Sequence, residues 1–208
     1  PGSDRYALMR PLPRRLSATI TTLLLLLACG AAQAHAGAET LAGGFSSGFL
    51  HPVLGWDHVI AMIAVGLWGA FLGAPAIWLL PVVFPTVMAF GGALGVAGVP
   101  LPGVEVGIAL SAIVLGAMIA LAARPPLWIA ATVVGAFAVF HGHAHGTELP
   151  QAANALAFSA GFVIATGLLH LSGIAFGLIV KWPKGRIAVR VVGGAIAAAG
   201  VGFLVGVF

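Results

Sequence analysis

The chain has 208 residues, 61% of them hydrophobic and only 7% charged, whereas a soluble domain carries about 25% charged and about 45–50% apolar residues. Nine Lys and Arg with five Asp and Glu are too few to coat a water-facing surface, which argues against a soluble globular domain, a disordered chain or a nucleic-acid binder. The net charge is +4, too thinly spread for a phosphate-binding patch, and a single cysteine, Cys29, rules out an internal disulfide framework or a thiolate-cluster metal site. An integral membrane protein remains. A spanning helix needs about 20 mostly apolar residues, so this length admits six or seven, and thirty glycines suit helices packed through small residues.

The first eight residues carry no usable pattern and read as a tag or a misplaced start before Met9. From Met9 a basic segment (Arg10, Arg14, Arg15) leads into an apolar run over 16–28 and then small residues. Ala32-Gln33-Ala34 fits the A-x-A pattern of signal-peptide cleavage, so residues 9–34 are expected to be an export signal. Cleavage there makes His35 the mature N-terminus; the alternative is an uncleaved first helix. Breaks in the hydrophobic runs then divide residues 35–208 into six helices, over 52–72, 76–97, 104–123, 127–145, 153–180 and 187–208. Pro52 suits a first helical position, where no N–H partner is needed. The expected fold is an all-α integral membrane protein, a six-transmembrane-helix bundle in one domain.

Charges not used in drawing the helices set the orientation. With the mature N-terminus outside, Arg124, Lys181, Lys184, Arg186 and Arg190 all fall on the cytoplasmic side, as the positive-inside rule requires. Glu39, Asp57, Glu105 and Glu148 fall outside, and Trp78, Trp128 and Trp182 take the places of an inner aromatic belt. A multi-pass protein of the bacterial inner membrane with both termini periplasmic is the expectation.

A bundle built only to span a membrane has no need of histidine, and this chain has seven. Six map to the outer side, in two groups with carboxylates: His51-Pro-Val-Leu-Gly-Trp-Asp57-His58, and Phe140-His-Gly-His-Ala-His-Gly-Thr-Glu148, with His35 beyond them. Neutral imidazole is a strong ligand for first-row transition metals, and carboxylates complete such shells. Intramembrane ionisable groups mark ion or substrate paths. On a continuous helix His51 lies about 10 Å from His58 along the axis, so binding one ion through both needs local unwinding, for which Gly55 gives freedom. Asp57 either joins the ion or orients a histidine through its ring N–H. His141 and His145 share a helix face. Gly142 and Gly146 allow close approach of another helix, so the first and fourth helices are expected to touch near their outer ends. His51, His58, His141 and His145 would then converge on one divalent cation, with Asp57 and Glu148 supplying charge.

Other residues have two readings each. His170 either bonds between helices or is an inner relay point. His143 faces away from its neighbours and is either structural or an added ligand. Glu105 suits the dipole at the start of its helix or attracts cations. Pro81 and Pro85 kink a helix or line a path. Met62 and Met88 read as packing, and Gly69-x-x-x-Gly73, Gly91-x-x-x-Gly95 and Gly173-x-x-x-Gly177 as helix contacts.

At the two histidine motifs the chain resembles the HupE/UreJ family of nickel permeases and hydrogenase or urease accessory membrane proteins. Its H-x5-D-H motif is matched by His51, Asp57 and His58, and its F-H-G-x-A-H-G-x-E motif by Phe140, His141, Gly142, Ala144, His145, Gly146 and Glu148. His143 falls at a variable position. The resemblance implies a cleaved signal followed by six helices. It also implies uptake of Ni2+ from periplasm to cytoplasm for hydrogenase or urease, delivered to a cytoplasmic nickel chaperone, with no permanently bound cofactor and no catalytic residues. Co2+ is the chief rival cargo, because N/O ligation separates the two ions poorly. An intramembrane metalloenzyme and a haem protein with paired histidine ligands are the other classes; the sequence has no H-E-x-x-H and no Walker motif.

Overall fold

A computed structural model of the chain describes residues 41–148 and 154–207, and every described regular element is helical. The expected tag, the export signal and His35 lie outside the described residues. The helices are α1 (Leu41–Leu54), α2 (Trp56–Leu72), α3 (Ala76–Val96), α4 (Val104–Ala120), α5 (Leu127–Glu148), α6 (Ala155–Gly177) and α7 (Pro183–Leu204). A single 3-10 turn, Leu178–Lys181, links the last two.

Six of the seven correspond to the expected helices. The seventh, α1, does not. Pro52 lies inside the last turn of α1 rather than opening a helix, and the first expected helix begins at Trp56. The chain breaks at Gly55 and turns by 79° between α1 and α2. Three glycines, two serines and a proline gave residues 41–54 the look of a loop, but Gly44 and Gly48 are buried contact points, not turns.

Four helices, α3, α5, α6 with its following turn, and α7, are long and apolar enough to cross a membrane. The bent pair α1 and α2 makes a fifth candidate, while α4 is a shorter apolar helix of 17 residues. Apolar side chains such as Val163, Leu168, Leu171, Val191 and Val201 face outward, where lipid rather than water suits them. The Trp78, Trp128 and Trp182 rings are exposed together with the basic residues. At that end Arg190 donates to the Ala120 carbonyl (2.8 Å), Arg186 to that of Val180 (3.1 Å), and Arg124 lies over Phe71. Cations there complement the carboxyl ends of α4 and α6.

Helix α2 forms the centre. Ala61, Met62, Ala64, Val65, Leu67 and Trp68 are fully buried, because it packs on α3, α4 and α6. A helix apolar on all sides belongs in such a position. Met62 and Met88 are core residues, as expected. Glycines make the seams. A Cβ on Gly142 would strike the Met88 carbonyl, one on Gly146 that of Gly92, and one on Gly91 that of Val139, so α3 and α5 touch backbone to backbone. Gly66 and Gly173 do the same between α2 and α6. The expected use of Gly142 and Gly146 is thereby corrected: they admit α3, not α2. Gly73 is also not a helix contact. It ends α2 at φ +85°, a conformation that favours glycine, with open space around it.

Gly142→Ala must push α3 and α5 apart and should cost about 1–3 kcal/mol as an overpacking change. Gly194→Ala, in open space, should instead stabilise by up to about 1 kcal/mol. Thermal unfolding of the two variants in detergent checks the contrast.

Candidate metal centre

The bend at Gly55 and the α3/α5 seam together aim both histidine motifs at one place. His51 comes from the last turn of α1, Asp57 and His58 from the first turn of α2, and His141, His145 and Glu148 from the end of α5. Ring centroids of His58 lie 4.8 Å from His141 and 4.4 Å from His145, and His51 lies 4.9 Å from His145. The four imidazoles expected to converge do meet. They do so although α2 and α5 are held together mainly through α3, and the side chains bridge the gap.

The protons on these rings follow from their partners. Asp57 Oδ1 accepts from both the backbone N–H of His58 and its Nδ1–H, each at 2.8 Å. Of the two readings of Asp57, the orienting one describes this geometry. It fixes the tautomer and leaves the His58 Nε2 lone pair free. Ser111 on α4 spends its only proton on the Ile108 carbonyl at 2.6 Å. Its oxygen therefore accepts from His141 Nε2–H at 3.0 Å, and the lone pair of His141 sits on Nδ1. Nε2 of His58, Nδ1 of His141 and Nε2 of His145 are all buried with no hydrogen-bond partner. A buried polar atom without a partner is costly and calls for an explanation; three at one histidine cluster suit a ligand that arrives.

A second set lies toward the outer rim. His51 Nε2 is 3.0 Å from Glu148 Oε2 and 3.0 Å from His145 Nδ1, and His145 Nδ1 is 4.0 Å from Glu148 Oε2. All three atoms fall within 4.8 Å of one another. With metal–ligand bonds of about 2.1 Å, neighbouring ligands at right angles stand about 3.0 Å apart and opposite ones about 4.2 Å. His51 in the middle, flanked by the other two, matches that spacing. Phe158 and Phe162, four apart on α6, wall the group: Phe162 lies 4.4 Å from His145 and Phe158 5.7 Å from His51.

The remaining candidates separate. His143 turns away and its Nε2–H donates to the Val99 carbonyl at 2.7 Å, so it ties the loop after α3 to α5 and stands apart from the cluster. Glu105 is not among the imidazoles either. It lines, with Asp57, Trp56 and Phe203, a cavity of 520 Å³ between α2, α4 and α7. His170 is deep in α6 with an unpartnered Nε2. Sequence reasoning missed Ser111, Phe158 and Phe162. A serine in an apolar helix was the available signal for the first; the rings carried none, because aromatic residues are ordinary core.

His143→Ala should weaken the fold by about 1 kcal/mol and leave metal affinity unchanged, whereas His145→Ala should abolish high-affinity binding. Calorimetric metal titration beside thermal unfolding separates the two effects.

The family model for HupE / UreJ protein matches residues 23–203, which include both motifs. The chain is also 45% identical over 192 residues to Protein HupE of Rhizobium leguminosarum bv. viciae, covering 92% of this chain and 100% of that protein. No solved structure matches it. With most of its length matched and both motifs gathered at one cluster, the chain belongs to the HupE/UreJ family.

Proposed function

We propose that this chain carries Ni2+ inward across the bacterial inner membrane, from periplasm to cytoplasm, for the maturation of hydrogenase or urease. The observation that carries the reading is the convergence of His51 Nε2, His145 Nδ1 and Glu148 Oε2 within 4.8 Å at one end of an apolar bundle. Two neutral nitrogens and one carboxylate at right-angle spacing suit a first-row divalent ion such as Ni2+. The resemblance of the motifs to those of nickel permeases supports the same cargo.

On this reading six helices span the membrane, with α2 as the first and α1 lying before the bend. The mature chain begins at His35, and the histidine end faces the periplasm. Glu105 and Glu148 attract a hydrated cation. The ion exchanges water for His51, His145 and Glu148, then moves toward His58 and His141, whose lone pairs Asp57 and Ser111 have already turned inward. A negative interior favours entry by about 4.6 kcal/mol per 100 mV for a doubly charged ion, twice the single-charge value. Inside, a cytoplasmic nickel chaperone receives it.

Metal-starved cells expressing the chain should accumulate nickel, and His58→Ala or His145→Ala should lose most of that uptake at equal membrane abundance. Parallel cobalt, zinc and copper assays identify the cargo; preference for cobalt would replace nickel in this reading, and no accumulation of any metal would sink it. Imidazolium carries no free lone pair, so uptake should fall as pH drops below about 6, where free histidine becomes protonated. Burial lowers the pKa of His51, so the fall sets in on the acid side of that value, and uptake that rises on acidification would argue against histidine ligation.

A further inference from the structure

Below the histidine cluster the core is apolar except at one place. Thr166 and His170 lie four residues apart on α6, so they share a face. Thr166 is fully buried and His170 is 2% exposed. Neither Thr166 Oγ1 nor His170 Nε2 has a hydrogen-bond partner. That is unusual within this molecule. Thr86, Thr132, Ser159 and Ser172 each return their proton to the carbonyl four residues back, at 2.7–2.9 Å. A mid-helix hydroxyl ordinarily does so, and Thr166 does not. Two unmet polar atoms on one buried face mark a place for something that binds oxygen and nitrogen lone pairs.

Depth places them beyond the outer cluster. At about 1.5 Å per residue, His141 stands about 21 Å from the basic end of α5, and Thr166 about 17 Å and His170 about 10 Å from the same end of α6. One side chain touches both. The Phe84 ring meets His141 edge-on at 5.5 Å and His170 at 5.7 Å, and it is fully buried. It stands on α3 between Pro81 and Pro85. Each proline removes an i→i−4 hydrogen bond, so the segment carrying Phe84 is held by fewer bonds than a regular helix and can yield. Hydrophobic constrictions of this kind hold back ions by excluding water.

We propose that Thr166 and His170 form a second, inner station for a divalent transition-metal ion, and that Phe84 is the partition between it and the outer histidine cluster. The inference rests on the transport reading above. It adds a binding place, with one neutral oxygen and one neutral nitrogen, that holds the ion more weakly than the carboxylate-bearing outer site and so favours release. The proline-flanked turn of α3 moves the ring aside for passage.

The test uses the purified full chain, with nickel titrated in detergent and nickel flux followed in proteoliposomes. A Thr166→Val/His170→Gln double variant should bind nickel within about twofold of wild type yet transport it at least about tenfold more slowly. Phe84→Ala should leak preloaded nickel several-fold faster without a membrane potential, and Phe84→Leu, which keeps the bulk, should restore the seal. Retained binding doubles as the folding control. Wild-type flux in the double variant overturns the inner station, and an unchanged leak in Phe84→Ala overturns the partition. Undiminished high-affinity nickel binding in His51→Ala/His145→Ala overturns the outer site alone, whereas the inner station stands or falls with the flux of the Thr166→Val/His170→Gln variant.

Discussion

On a continuous helix through residues 41–72, His51 and His58 would stand about 10 Å apart along the axis, and one cation could not serve both. With the 79° turn at Gly55, both rings reach His145, at centroid distances of 4.9 Å for His51 and 4.4 Å for His58. Non-helical backbone at such a place is tolerated only where it is buried in protein or lines a polar cavity. This break lies beside the imidazole cluster. Glycine is favoured there by space rather than by backbone freedom, since its φ of −85° suits any residue. A Cβ on Gly55 would press on Asp57 Oδ1 at 3.1 Å and on His58 Nδ1 at 3.2 Å. The residue that permits the bend thus also leaves room for the hydrogen bond that orients His58.

Alignment of α5 is the complementary constraint. Gly142 and Gly146 interleave with His141, His143 and His145, so the small residues meet α3 while His141 and His145 turn toward α2 and His51. Ser111 then settles which nitrogen of His141 is free. Each orienting partner is itself committed elsewhere: Ser111 to Ile108, Asp57 to the backbone of His58. The lone pairs are therefore arranged before any ion arrives, which lowers the ordering cost of binding.

The sequence showed the apolar helices and both histidine motifs plainly, because hydropathy and ligand type are local properties. The residues expected at the cluster, His51, His58, His141 and His145, do meet there, and Asp57 and Glu148 stand beside them. What escaped it depends on contacts between distant segments. Helix α1 was hidden because Gly43, Gly44, Ser46, Ser47 and Gly48 look like a loop until α6 is seen packing on them. Gly142 and Gly146 announced a close helix contact but not its partner. His143 is indistinguishable in type from its neighbours, and only its direction, toward the Val99 carbonyl, separates it. Thr166 looked like any helical threonine; its unmet hydroxyl is a tertiary fact.

The distribution of charge along the bundle has its own logic. A divalent ion sheds water at high cost, and a carboxylate nearby offsets that cost best. Carboxylates placed deep in the bundle would be expensive to bury and would hold the ion too tightly to release it. Asp57, Glu105 and Glu148 all stand at the histidine end, where Asp57 and Glu148 retain partial exposure. Among the described residues, the ionisable or hydroxyl groups buried farther along include no carboxylate: Ser111, His141, Thr166 and His170. Ligand strength therefore declines from the rim inward along the proposed route. On the proposed reading, a descending series of this kind lets capture be strong and release fast, with the membrane potential supplying the inward pull.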